Sequence, residues 1–402
     1  MNQRSRWSTA KLGVIGIVLV VIGALLVVIT GRSGLFSAFR AVLLRQPTVV
    51  ERLVPTVPAT IVSTPLVYTA TPKPVPPASP SPAMTPAAQA SPLPVDLPAA
   101  AIQERFGVGL ALPPVDQYDV ARLRAGWYLD WQTNPDPPRL NGMAYAQMVR
   151  FAAEGYRPNL VTIEAIAANN PGSLWLIGNE PDVVWQDNMT PSDYARSYHE
   201  LYRALKKADP SCQVAIGGVA QPTPLRFQYL DMILEAYGEL YGERMPVDVW
   251  NVHAFILREE EDSWGVDIPP GIEASSGVLY EIEDHDDLEI FEQQVFAFRR
   301  WMKASGEREK PLIISEYGIL MPADYGFDQR RVRDFMVATF DFFLTAADDE
   351  LGYAADGNRL VQRWAWYSLS DRTYATGNLF DPDTQQITPL GLAHADYISH
   401  LD

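Results

Sequence analysis

From Arg105 onward, short and nearly continuous apolar runs alternate with amphipathic stretches of helical period. The runs SLWLIG, VDVWNVHA and PLIIS lack the in-out alternation of a half-exposed strand. Continuous apolar strands are those buried on both faces, as in parallel sheets covered by helices. Strands are expected at Phe106–Leu110, Gly126–Trp131, Asn159–Glu164, Ser173–Gly178, Gln213–Gly217, Val247–Ala254, Pro311–Ser315 and Val361–Tyr367. Between them, Pro191–Ala208 sets Tyr194, Tyr198, Leu201, Tyr202 and Leu205 on one stripe; Phe227–Tyr241, Phe291–Lys303 and Arg330–Ala346 behave similarly. Such βα repetition over roughly 300 residues predicts an α/β fold, a (β/α)8 TIM barrel over residues 101–402.

The first hundred residues differ in kind. Leu12–Thr30 is uncharged and almost wholly apolar, and Arg4, Arg6 and Lys11 precede it. As a helix this stretch reaches ~28 Å, close to the thickness of a bilayer's hydrocarbon core. The expected organisation is a cytoplasmic N-terminus at 1–11, a transmembrane signal anchor at 12–30, and a juxtamembrane segment with a Pro/Ser/Thr-rich linker at 31–100. The linker, with TATPKPVPPASPSPAMTP within it, cannot pack a core and favours extended chain. The expected location is the cell membrane, crossed once, with the following domain outside the cytoplasm.

Charge separates the two parts again. Of 32 Lys/Arg and 49 Asp/Glu, the first hundred residues hold 8 and 2, leaving 24 and 47 in the rest. So acidic a domain repels phosphate backbones, which excludes nucleic acid as its partner and leaves neutral polysaccharide compatible. One cysteine, Cys212, excludes an intrachain disulfide and favours a bacterial exported protein.

In a parallel barrel the chemistry gathers where strands end and βα loops begin. Asn179-Glu180-Pro181-Asp182 follows the SLWLIG strand and Glu316-Tyr317-Gly318 the PLIIS strand. Two glutamates behind apolar strands would share one rim. Paired carboxyls are the minimum for glycoside hydrolysis, one protonating the leaving oxygen while the other attacks or positions water. Asn179 is placed to bind a sugar hydroxyl, and Tyr317 to tune Glu316 by hydrogen bonding.

WLIGNEPD followed by PLIISEYG resembles the retaining (β/α)8 glycoside hydrolases of clan A. Within that clan, Trp127-Tyr128-Leu129-Asp130-Trp131, NEPD, His253-Ala254-Phe255 and Ser315-Glu316 are similar to the Asl1-like glycosyl hydrolase core group, which includes β-1,3-glucanases. The resemblance implies Glu180 as general acid/base, Glu316 as nucleophile and Asn179 as the 2-hydroxyl ligand. It further implies a substrate-side role for His253 and a sugar-stacking floor from the last strand, expected at Trp366. Phe255, Ala254 and Asp130 depart from the group's residues at their positions.

Trp127 and Trp131 are further substrate-binding candidates, and Trp185 and Trp264 are candidate subsites on loops. The acidic runs Arg258–Asp262 and Glu281–Glu289 have no calcium-loop pattern and are expected as solvated faces. His199, His285, His394 and His400 show no zinc spacing, so neither metal nor cofactor is expected. These readings predict a retaining glycosidase acting on an external polysaccharide, a β-glucanase among the options. The alternative is a membrane-tethered carbohydrate-binding pseudoenzyme.

Overall fold

The computed structural model describes residues 102–152 and 155–401. The expected anchor at 12–30 and the Pro-rich segment lie outside the described residues. Among the described residues, no helix is long and apolar enough to cross a membrane.

The strands are β1 (Phe106–Gly109), β2 (Trp127–Leu129), β3 (Ala144–Tyr145), β4 (Gln147–Ala152), β5 (Gly155–Arg157), β6 (Leu174–Asn179), β7 (Gln213–Gly218), β8 (Trp250–His253), β9 (Leu312–Gly318) and β10 (Arg363–Tyr367). They pair in the orders β3-β2-β1-β10-β9-β8 and β5-β4-β6-β7. Two seams join these sheets. β3 and β4 are halves of one strand, interrupted at Ala146, whose N–H still donates to Tyr128 O at 2.9 Å. On the far side, parallel bridges Ala215–Val249 and Val219–Val252 tie β7 to β8. The parallel strands therefore succeed one another around a ring, a TIM-barrel-like α/β fold, with β5 antiparallel beside β4.

Helices α1 (Leu160–Asn169), α2 (Pro191–Ala208), α3 (Pro224–Tyr241), α4 (Leu288–Ala304), α5 (Gln329–Thr345) and α6 (Pro389–Ser399) alternate with the later strands. α1 corrects the strand expected at Asn159–Glu164; the third strand of the ring is instead β3–β4. Val161, Thr162 and Ile163 favour strands intrinsically, but the Asn159 side chain accepts the Thr162 N–H at 3.0 Å and starts a helix there. Thr190 does the same for α2, accepting the Asp193 N–H at 3.3 Å with Pro191 at the first turn.

Two apolar layers result. Trp127, Leu129, Ala146, Met148, Leu174, Leu176, Ala215, Val249, Ile313 and Ala365 fill the barrel. Alternate strand residues, among them Phe106, Trp175, Trp250, Trp364 and Trp366, face outward into the layer shared with the helices. Trp127 is large enough to dictate its neighbour, because a Cβ on Gly107 would come 2.3 Å from its ring.

Candidate active site

Glu180 and Glu316 meet at the C-terminal ends of β6 and β9. Glu180 directly follows β6 with φ 44°, a left-handed conformation uncommon outside glycine, and Pro181 fixes the next turn. The loop closes on itself: Val183 N–H donates to Glu180 O at 3.0 Å and Met189 N–H to Pro181 O at 2.8 Å. The side chain of Glu180 reaches His253 at the end of β8, with Oε1 2.9 Å from Nδ1. Space for that imidazole depends on Gly218, where a Cβ would lie 2.5 Å from the ring.

Glu316 lies within β9, still followed by Tyr317 and Gly318. The Trp131 indole N–H donates to its Oε2 at 2.9 Å, and His253 Nε2 stands 3.9 Å from the same oxygen. One polar atom each from Glu180, His253 and Glu316 all lie within 4.8 Å of one another. This trio could offer three ligand atoms to a cation; one oxygen of each glutamate is already engaged, Glu180 Oε1 by the imidazole and Glu316 Oε2 by the indole. Both carboxyls are nearly buried, at 7% and 9% exposure.

Burial pushes the Glu316 carboxyl up to about 7; His253 opposes this, the Glu180 charge adds to it, and the Trp131 N–H opposes it again. Burial alone would depress His253. The Glu316 charge and the hydrogen bond to Glu180 outweigh it, so the imidazole is raised above its ordinary value.

Asn179 is buried beside Glu180, its Nδ2 3.5 Å from Gln186 Oε1 and its Oδ1 without a partner. Its backbone N–H donates to Asp187 Oδ2 at 2.7 Å, and Arg150 donates to Asp187 Oδ1 at 2.6 Å and to Gln186 Oε1 at 3.0 Å. The asparagine thus presents an unpaired acceptor from a braced position.

The other predicted residues distribute unevenly. Trp131 reaches the site, but its N–H goes to Glu316. Trp127 sits inside the barrel, its N–H donated to Arg105 O at 3.3 Å, at the end of β1 opposite the rim that bears Glu180 and Glu316. Trp366 faces outward, fully buried, with its N–H on Gly377 O at 2.8 Å. Tyr317 also faces outward, its hydroxyl 3.4 Å from Thr339 Oγ1 and its ring against Phe343 and Trp366. Neither reaches Glu316. Trp185 is 42% exposed, whereas Trp264 packs partly buried against the core.

Side chains without a predicted role also belong here. Tyr367, on the inward face of β10, packs edge-on to Trp131 at 5.6 Å and near Phe255 at 6.4 Å. Its hydroxyl pairs with Asp371. The alternation of RWAWY shows that Tyr367 opposes Trp366, but not which of them faces inward. Beneath Glu180, Arg226 is wholly buried, 2.9 Å from Asp182 and paired with Glu259. It also donates to Val266 O and Asp267 O at 3.0 and 3.1 Å. One guanidinium therefore ties together the loops after β6 and β8 from the helix after β7. Burial holds Asp182 up at about 6 against the pull of Arg226. Glu259 belongs to the acidic run expected to be solvated, and for this residue the expectation is corrected, while Glu261 and Asp262 of the same run are exposed. A signal for the tie exists in the sequence: Arg226 shares a stripe with Tyr229, Leu230 and Ile233, and a cation on a buried stripe needs buried acids. His285, in the other acidic run, is buried as well, between Ile256 O at 2.8 Å and the Leu320 N–H at 2.9 Å.

Residues 109–266, spanning Glu180 and His253, match the family model described as glycosyl hydrolase catalytic core. This chain is a glycoside hydrolase. No curated protein matches it. The glycoside hydrolase has a fold similar to that of a GH128 (subgroup II) endo-beta-1,3-glucanase from Pseudomonas viridiflava, with TM-score 0.50 and 16% identity, over 72% of this chain and 96% of that one. A GH128 (subgroup II) endo-beta-1,3-glucanase from Sorangium cellulosum aligns with TM-score 0.49 and 16% identity, over 73% and 98%. A GH128 (subgroup I) endo-beta-1,3-glucanase from Amycolatopsis mediterranei, in complex with laminaritriose, gives 0.45 and 17%, over 73% and 99%.

Proposed function

We propose that this glycoside hydrolase cleaves β-glycosidic bonds of a β-glucan with retention of anomeric configuration. The carrying observation is the approach of Glu180 and Glu316, with polar atoms inside 4.8 Å. Retaining enzymes hold their carboxyls ~5–5.5 Å apart, whereas inverting enzymes leave ~6.5–9.5 Å for a water. Glu316 attacks the anomeric carbon while Glu180 gives its proton to the leaving oxygen, forming a glycosyl ester on Glu316. Water then attacks that carbon and gives its proton to Glu180, releasing the sugar and restoring both groups.

Three features support this division. The Trp131 N–H points at Glu316 and favours its anion, as a nucleophile requires. The unpaired Asn179 Oδ1 is available to accept from the 2-hydroxyl of the reacting sugar. Trp131, Tyr367 and Phe255 form an aromatic wall beside the carboxyls, suited to the C–H face of a pyranose. The Pseudomonas viridiflava enzyme of similar fold is an endo-beta-1,3-glucanase, which makes β-1,3-glucan the first polymer to test. The apolar segment 12–30 and the Pro-rich stretch after it favour a (β/α)8 barrel tethered to a membrane and facing outward.

The test is incubation with linkage-defined β-glucans, following the anomeric proton of the first product by NMR. The β-anomer is expected first. First appearance of the α-anomer would overturn retention; glycan binding without any release of reducing ends would favour the pseudoenzyme.

A further inference from the structure

β9 carries one residue more than its neighbours. Against β8, Val252 faces Ile314 and the next residue, His253, faces Glu316. Against β10, Trp364 faces Ile314 and Trp366 faces Tyr317. Both registers slip across Ser315, which makes it the extra residue of a β-bulge. Ile313 faces the barrel interior and Ile314 the outer layer. In an unbroken strand of this sequence Ser315 would face inward, Glu316 outward and Tyr317 inward again. The bulge reverses that parity.

Asn251, on β8, holds the bulge. Its Oδ1 accepts the Ser315 N–H at 3.2 Å and its Nδ2 donates to Ile216 O at 3.3 Å, so one buried amide spans β7, β8 and β9. A buried backbone N–H that a bulge disturbs still needs an acceptor, and the Asn251 side chain supplies one. The Ser315 hydroxyl is buried without a partner and adds no hold of its own.

We infer that Asn251 is a positioning residue that pins the Ser315 bulge and thereby turns Glu316 toward the substrate. The inference rests on Glu316 as nucleophile, but its geometry can be followed without substrate. The Trp131 indole N–H donates to Glu316, so its proton resonance reports which way that carboxylate faces. The test compares Asn251→Leu, similar in size but without hydrogen bonds, in the full chain and in a chain lacking Ser315. Without Ser315 a regular ladder already sets Glu316 opposite His253, and no bulge needs holding.

In the full chain, Asn251→Leu should move the Trp131 indole resonance, assigned with Trp131→Phe, to higher field. It should lower kcat about 100-fold with KM changed less than about threefold, as expected for a displaced reacting group. In the chain lacking Ser315 the same substitution should alter both readouts less than about threefold. An indole resonance unmoved by Asn251→Leu, or equal losses in both backgrounds, would overturn the inference. Should Asn251→Leu not fold in the full chain, folding of the same substitution in the chain lacking Ser315 supports the inference and failure in both overturns it. A moved resonance in a protein whose parent hydrolyses no β-glucan would remove the proposed function and leave the positioning intact.

Discussion

The ends of β6 and β9 each deliver one glutamate to the same few ångströms, and they do so by different means. At β6 the turn is local: Glu180 takes a left-handed conformation, Pro181 stiffens the loop after it, and that loop's own hydrogen bonds close it. At β9 the strand continues past Glu316, and the inward aim comes from a bulge that needs a residue of β8 to satisfy it. The partners differ as well. Glu180 faces an imidazole that can gain or lose a proton, whereas Glu316 receives an indole N–H that can only donate. Under the proposed mechanism, the group that alternates between acid and base is thus matched with a titrating neighbour, and the attacking carboxylate with a fixed donor.

Removing each glutamate tests this contrast most strongly. Glu316→Ala should lower kcat by roughly 10⁴-fold or more, since no ester can form. Glu180→Ala should cost about 10²–10⁴-fold, and azide, which needs no general base, should restore turnover on substrates with good leaving groups. Azide rescue of Glu316→Ala, rather than of Glu180→Ala, would exchange the two assignments.

A smaller effect is expected at the fixed donor. Trp131→Phe removes a hydrogen bond to a charged group, about 1.5–3 kcal/mol. That bond holds Glu316 down, so without it the carboxyl rises further above about 7 and is ionised only at higher pH. The acid limb of kcat/KM should therefore move alkaline. An unmoved or acid-shifted limb would show that the indole does not act on the nucleophile.

Stability should follow the same group. The folded carboxyl of Glu316 titrates near 7, above the ordinary glutamate value of 4.5, so the folded state binds the proton more tightly than the unfolded chain. Its contribution is present below pH 4.5 and is lost as pH rises through about 7. Glu316→Gln, which cannot ionise, should stabilise the fold at pH 8 by on the order of 2 kcal/mol, seen as a higher Tm, and much less at pH 5. Equal shifts at both pH values would count against burial as the cause. The smallest change belongs to the neighbour: Tyr317→Phe should leave kcat within about twofold and cost roughly 1 kcal/mol or less, because its hydroxyl meets only Thr339. A tenfold loss of kcat would return Tyr317 to the site.

Seven of the eight apolar runs and the intervening helical stripes were sufficient for the parallel α/β fold, and the position of NEPD and SEYG behind two of them for the meeting of Glu180 and Glu316. Burial on both faces leaves a compositional mark, and a carboxylate at the end of such a strand has few structural uses. Side-chain direction was not legible, that of Glu316 included. RWAWY fixes that Trp364 and Trp366 share a face, but the face they share was settled by the helical layer, where Phe343 and Tyr317 pack on them. The strand misplaced at Asn159–Glu164 failed because β-branched residues and a helix cap compete, and the cap prevailed.

By itself, then, the sequence determined seven strands of the ring, the helical stripes between the later ones, and which two acids stand behind those strands. Tertiary structure decided which way each side chain points. Strand parity has period two, so one bulged residue reverses everything after it. Whether Ser315 bulges depends on an amide of the neighbouring strand, Asn251, a contact 64 residues distant in the chain.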